Sequence, residues 1–229
     1  MWDVWGALLG ISFVGFTLIS HFSPRTSHFH TNNNNKETIL KKTIKLLIIL
    51  ITILLLYFVL FKVVKVDKII MKKIYPLKYS EYVEKYAEEY NVDKYLVYAI
   101  IKAESNFKEN AKSTSNAVGL MQIMEATAIE TANKMNLNIT ELDIFNPELN
   151  IRLGLEYFTN LLDKYNDNYN LAIIAYNAGI GNVDKWIQGG TIKSDGTDLE
   201  NVPFKETNNY VRKILRDYEI YKELYEKQM

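Results

Sequence analysis

The stretch Ala99-Ile-Ile-Lys-Ala-Glu-Ser-Asn-Phe107 reads as the end of an amphipathic helix whose acid stands on the wrong side. Apolar residues at Leu96, Val97, Ile100 and Ile101 have the spacing of one buried helical face. Glu104 follows Ile100 by one helical turn and so continues the apolar stripe. A carboxylate placed there loses hydration, which disfavours its charged form and raises its pKa. Held protonated near neutral pH, it can donate a proton to a leaving group. The competing reading is an ordinary acid at a helix end, bonded to Ser105 or a nearby amide. This stretch alone leaves both open.

Composition sets the frame around it. The chain has 229 residues, enough for one ordinary domain and additional segments. Lys+Arg and Asp+Glu are both 27, so charge gives no reason to expect nucleic acid as a partner. With no cysteine, disulfides, thiolate metal sites and cysteine nucleophiles are excluded together. Glycine and proline number only 10 and 4, and long helical patterns dominate, which predicts an all-α fold.

Toward the N-terminus, Leu46 to Phe61 carries no charge, and Val63-Val64 extend it past a snorkelling Lys62. Roughly 19 residues at about 1.5 Å each approach the thickness of a bilayer core, so residues 46–64 are expected to be a transmembrane helix. A buried core helix is disfavoured because the run has no polar face. Residues 1–45 form an N-terminal region. Within it, Val4 to Ser20 is a weaker apolar run diluted by Gly6, Gly10 and Gly15, either a second span or a segment that never inserts. His21–Thr43, with Asn32–Asn35, reads as a flexible polar connector. Its histidines lack acidic or cysteine partners at ligand spacing, and no metal or cofactor is expected. Lysines flank the span on both sides, so the positive-inside rule does not orient it. Residues 65–78 read as a short basic linker holding the remainder close to the membrane, and residues 79–229 as the soluble domain.

In that domain Ser80 is expected to cap a helix reaching Tyr90, and Asp93 to cap the helix that carries Glu104. Phe107 to Asn116 is loop-like. Gly119 suits a turn or close backbone approach before a helix over Ala126–Met135, with Leu120, Met121 and Ile123 as core. Asn146-Pro147 reads as a turn, and Leu149–Tyr165 as a strongly periodic helix. Asp163 to Asn168 lacks the glycine and glutamate of a calcium loop. Leu171–Tyr176 is helical, with Gly179 as its left-handed cap. Gly189–Asp198 reads as a surface loop, and Glu206–Lys227 as a final amphipathic helix.

In order, Glu104-Ser105, Gly119-Leu120-Met121-Gln122, Ala175-Tyr176-Asn177-Ala178-Gly179 and Pro203-Phe204-x-Glu206-Thr207-x-x-Tyr210-Val211 closely resemble the motifs of the soluble-lytic-transglycosylase (SLT) type of lytic transglycosylase. Asn150, Gly154 and Tyr157 match the helix that this family places between its second and third motifs. The resemblance covers nearly all of residues 80–225 and none of the apolar segment. It departs at Asn116, where glycine is frequent, and at Glu125, where proline is common. Asn tolerates left-handed angles, and an acid suits a helix start.

The resemblance implies a lysozyme-like helical domain with a groove for peptidoglycan glycan strands. It makes Glu104 the single catalytic acid and base, with Ser105, Gly119, Met121, Gln122, Tyr176, Asn177, Ala178 and Tyr210 as substrate-binding or positioning residues. The implied reaction cleaves the β-1,4 bond between N-acetylmuramic acid and N-acetylglucosamine without water, leaving a 1,6-anhydro end. The alternatives are a lysozyme-like muramidase that uses water, and a non-catalytic wall-binding scaffold. An ordinary glycosidase needs a second carboxylate, and neither Glu109 nor Glu125 is marked as one. A wall substrate would put the domain on the outer side of the cytoplasmic membrane. Protein partners are unknown at this level.

Overall fold

The computed structural model describes residues 33–63, 66–137 and 144–226. The expected apolar run Val4–Ser20 and residues 21–32 of the expected connector lie outside them. The chain divides into two compact units, residues 1–57 and 58–229, each considered by itself.

In the first unit, helix α1 (Asn33–Phe58) begins well before the apolar run, so the connector expected at His21–Thr43 is helical from Asn33 onward. The helix passes into a π-helical turn over Val59–Val63. Lys36–Lys62 is long and apolar enough to cross a membrane, and none of its side chains is buried.

The second unit opens with that π-helical turn and continues in α2 (Val66–Ile74), which takes up much of the short basic linker expected at 65–78. Tyr75 is buried in the core, and the Tyr225 hydroxyl donates to its carbonyl at 2.7 Å. The packed domain therefore starts ahead of residue 79. The charge pattern that suggested a linker gave no sign of this anchoring tyrosine.

Next comes α3 (Ser80–Glu89), then α4 (Lys94–Glu104). Ser80 is the first helical residue of α3 rather than its cap. Tyr79 holds that position in left-handed conformation without a side-chain bond. Asp93 caps α4 as expected, accepting from the Tyr95 amide at 2.8 Å. Every residue from Tyr95 to Ile101 is buried, so α4 is apolar all round and forms the axis of the domain. Glu104 is thus selected by its place where this axis reaches the surface, not by membership of a one-sided stripe.

A short antiparallel hairpin, β1 (Ala117–Val118) with β2 (Ile123–Met124), pairs Ala117 with Met124 and Val118 with Ile123. It precedes α5 (Glu125–Lys134), and the turn expected at Gly119 is its tip. Asn146 caps α6 (Pro147–Lys164), its Oδ1 accepting from the Leu149 amide at 3.0 Å, with Pro147 in the first turn. Helix α7 (Tyr169–Ala178) meets α8 (Ile180–Gln188) at Gly179, with φ 83° and ψ 147°. Gly179 is therefore a sharp corner between two helices, and α8 lies in a segment the sequence reading left unassigned. Ile192, Gly196 and Asp198 are buried within the expected surface loop 189–198. The last helix, α9 (Lys205–Tyr225), packs along α4, while α6 contacts α3, α5 and α7. Rings knit these layers: Tyr98 stacks on Tyr221 at 5.6 Å, and Tyr75 meets Tyr221 edge-on at 5.4 Å.

Candidate active site

Glu104 is the final residue of α4, and α9 crosses that end. Three polar contacts pin the crossing. The Tyr210 hydroxyl donates to Glu104 Oε1 at 2.5 Å. The Lys213 ammonium donates to the Ala103 carbonyl at 3.3 Å, placing a cation at the negative end of α4. Lys102 Nζ donates to Asp217 Oδ2 at 3.0 Å, and Asp217 is wholly buried. Tyr210, Lys213 and Asp217 recur at helical spacing along one face of α9, so one face positions the whole end of α4.

The electrostatics follow from this packing. Burial pushes the Glu104 carboxyl up from 4.5 to about 7, against the lowering pull of the Tyr210 hydroxyl and the Lys213 charge. Burial and the adjacent Glu104 carboxylate hold the Tyr210 and Tyr176 hydroxyls well above the usual tyrosine range, so both remain donors. Burial opposes ionisation of Asp217, but hydrogen bonds from Lys102 and Arg216 outweigh it and keep its carboxyl below the usual range. Glu104 keeps part of its surface open.

The second wall is the turn before β2. Tyr176 from α7 donates its hydroxyl to the Met121 carbonyl at 2.8 Å. Its ring packs on Tyr157 at 5.5 Å, which fixes its direction. Asn150, wholly buried on α6, holds the same turn with three bonds. Its Oδ1 accepts from the Met121 amide at 2.8 Å, and its Nδ2 donates to the Val118 and Ile144 carbonyls at 3.0 and 2.8 Å. Gly119 has φ 79°, and a Cβ there would meet Asn150 Nδ2 at 2.2 Å. A Cβ on Gly154 would meet the Met121 sulfur at 2.6 Å. These two glycines admit the close approach of the turn to α6.

The expected site residues therefore divide. Glu104, Tyr176 and Tyr210 come together, and the charge of Glu104 acts on both hydroxyls. Gln122, next in the chain to the Met121 carbonyl that Tyr176 holds, has φ 46°, and its amide donates to the Ala111 and Gly119 carbonyls at 3.1 and 2.9 Å. Asn177 is exposed, and its Oδ1 accepts from Thr207 at 2.7 Å, tying α7 to α9. Ala178 is partly buried, and its carbonyl accepts from Asn182 at 2.7 Å.

Three residues do not offer side chains to a groove. Ser105 is buried, its Oγ donating to the Ile101 carbonyl of its own helix at 3.2 Å. The Met121 side chain is wholly buried and packs against α6, leaving only its backbone toward the site. Gly119 is buried beneath the turn. Sequence reasoning missed Lys213, Asp217 and the physical task of Asn150. The available signal was a polar residue at a core register of an otherwise apolar helical face. Asn116, at φ 62°, adopts the left-handed backbone that makes Asn acceptable there.

Residues 81–197 match the family model described as Transglycosylase SLT domain. The chain is 37% identical over 149 residues to a putative soluble lytic murein transglycosylase of Haemophilus influenzae, covering 64% of this chain and 25% of that protein. It is 35% identical over 116 residues to membrane-bound lytic murein transglycosylase C of Histophilus somni, covering 46% of this chain and 32% of that one. Among solved structures, an inactive glutamate-to-glutamine mutant of lytic transglycosylase Slt from Pseudomonas aeruginosa is similar, with a TM-score of 0.60 and 32% identity. It covers 65% of this chain and 24% of the other. The chain spans about a quarter of the length of the Haemophilus and Pseudomonas proteins and about a third of the Histophilus one, so the likeness concerns one domain of larger proteins.

Proposed function

Since this chain belongs to the transglycosylase SLT domain family, we propose that its domain cleaves peptidoglycan glycan strands as a lytic transglycosylase, with Glu104 as acid and then base. The observation that carries the reading is a carboxyl held near neutrality by burial, hydrogen-bonded to Tyr210 and still open on one side. That the similar Pseudomonas aeruginosa enzyme is inactive as a glutamate-to-glutamine mutant supports the same role.

In the first step protonated Glu104 donates to the glycosidic oxygen, and the C1–O4 bond breaks. Positive charge develops at C1, where the substrate's own N-acetyl carbonyl can share it. Ionised Glu104 is then stabilised by the Tyr210 hydroxyl and the Lys213 ammonium. It removes the proton from the C6 hydroxyl as O6 bonds to C1, closing the 1,6-anhydro ring. Glu104 ends protonated, no water is consumed, and one carboxyl suffices. The two nearest acids in sequence lie elsewhere: Glu109 is exposed and accepts from Tyr79 at 3.1 Å, and Glu125 is exposed in the first turn of α5.

Residues 46–64 act as a membrane anchor on this reading, with the domain on the wall side and Arg25–Lys45 in the cytoplasm. Intact protoplasts should then leave the C-terminal domain open to added protease, and protection would contradict the orientation. For the chemistry, Glu104→Gln should abolish release of soluble muropeptides while near-UV dichroism stays native. Undiminished release would remove Glu104 from the mechanism.

A further inference from the structure

Helix α2 has two faces of different chemistry. Met71 packs against the core and the chain enters the core at Tyr75, while Lys72 lies over the Tyr225 ring at 5.1 Å. On the opposite side, Ile69, Ile70, Lys73 and Ile74 occupy an arc of about 140° at 100° per residue. The three isoleucines are 55%, 48% and 51% exposed. A short helix in a water-facing position has no reason to present three isoleucines in one arc. This arc also forms one wall of a cleft of about 330 Å³. Lys73 and Ile74 stand on that wall, with Lys78, Lys102 and Phe107 around the rest. Within that cleft Lys102 is already paired with Asp217, so the uncommitted charge comes from Lys73 and Lys78.

We infer that α2 lies in the headgroup layer of the membrane, its isoleucine arc in the acyl boundary and its lysine cleft on the phosphates of anionic phospholipids. The inference rests on the anchoring reading above. Two observations choose a membrane over a protein partner. The helix begins only a few residues after the apolar segment that ends at Lys62, so the same bilayer surface is within reach of any chain geometry. Its exposed Lys73 stands within the isoleucine arc, where a long stem can lie along the aliphatics and carry its charge to the phosphates. The consequence for the enzyme is geometric. A domain docked through α2 and Tyr75 works at a fixed height above the lipid, instead of sweeping on a flexible tether.

The test uses the full chain, whose lack of cysteine allows single reporters. Leu54→Cys and Ile70→Cys, each carrying an environment-sensitive fluorophore, are reconstituted in vesicles of phosphatidylcholine with or without phosphatidylglycerol. The Ile70 reporter should be blue-shifted, quenched by lipid with a nitroxide near the headgroup and shielded from iodide. This should hold with phosphatidylglycerol and be lost on adding Lys73→Glu with Lys78→Glu. If it is exposed to iodide while the Leu54 reporter is quenched by deep nitroxides, the docking is wrong and the anchor stands. If Leu54 is not quenched either, the anchoring reading fails first. Equal shielding in both lipid mixtures would overturn the anionic-lipid assignment.

Discussion

Removing the Asn150 side chain should disable the site from a distance. Asn150→Ala leaves the buried Met121 amide without its partner and removes one bond each from the Val118 and Ile144 carbonyls. At about 1–3 kcal/mol for the orphaned amide, and less for each carbonyl, the loss is about 2–4 kcal/mol. For a domain of this size that lowers the melting temperature by about 10 °C. The same side chain determines what Gly119 tolerates. Gly119→Ala places a Cβ 2.2 Å from Asn150 Nδ2 and puts alanine at φ 79°. The overlap expels the amide from its three bonds, and the backbone adds about 1–2 kcal/mol. In the Asn150→Ala background the overlap is gone and only the backbone cost remains. The two substitutions should therefore be strongly non-additive, with a coupling of about 2–4 kcal/mol. Thermal unfolding of the full chain in detergent, followed by near-UV tyrosine dichroism, measures all four corners of the cycle. Additivity within about 0.5 kcal/mol would refute the reasoning, because Asn150 would then not be what Gly119 makes room for.

Glu104 should make the domain less stable at higher pH. Its folded-state carboxyl titrates near 7 against 4.5 unfolded, so the native state binds the extra proton between those values and stability falls as pH rises through them. The penalty at pH 8 is about 2 kcal/mol, discounted for partial exposure, and Glu104→Gln should melt higher than wild type at pH 8 but equally at pH 4. A reversed order in pH-dependent melting would contradict this. Tyr210→Phe removes the hydroxyl that lowers the Glu104 titration, so the alkaline limb of the pH–rate profile, where Glu104 loses its proton, should move upward. Turnover should fall about 10- to 100-fold with little change in KM. An unchanged profile would take Tyr210 out of the site. Asp217→Ala strands Lys102 in a setting where its side chain is 12% exposed and should cost about 3–5 kcal/mol in thermal unfolding. Asp217→Asn, which keeps the shape, should cost less, and equal losses would show that the lost charge, not the lost packing, sets the whole cost.

Much of the site was legible because its motifs are short and local. Glu104 closes a helix, Tyr176 ends one, and Tyr210 stands at a fixed place in the last, so helical spacing locates all three. The resemblance put Ser105 and Met121 in the substrate groove, but a motif gives residue identity without direction: the Ser105 side chain turns back onto α4, and that of Met121, read from its spacing as core, turns into α6. Asp217 was overlooked because its meaning depends on Lys102, 115 positions away in sequence. Helix α8 escaped notice because a single glycine joins it to α7, leaving no loop composition to mark its start. The segment 65–78 looked like a linker by charge, and only the packing of Tyr75 reveals where the domain begins.

The most direct test of the account is the fate of the oxygen that ends on C1. Peptidoglycan digested by the full chain in heavy-oxygen water should yield muropeptides that carry 1,6-anhydro ends and no label. Reducing-end muropeptides labelled at C1 would mean that water, not the C6 hydroxyl, accepts the glycosyl centre, and the proposed second role of Glu104 would be wrong.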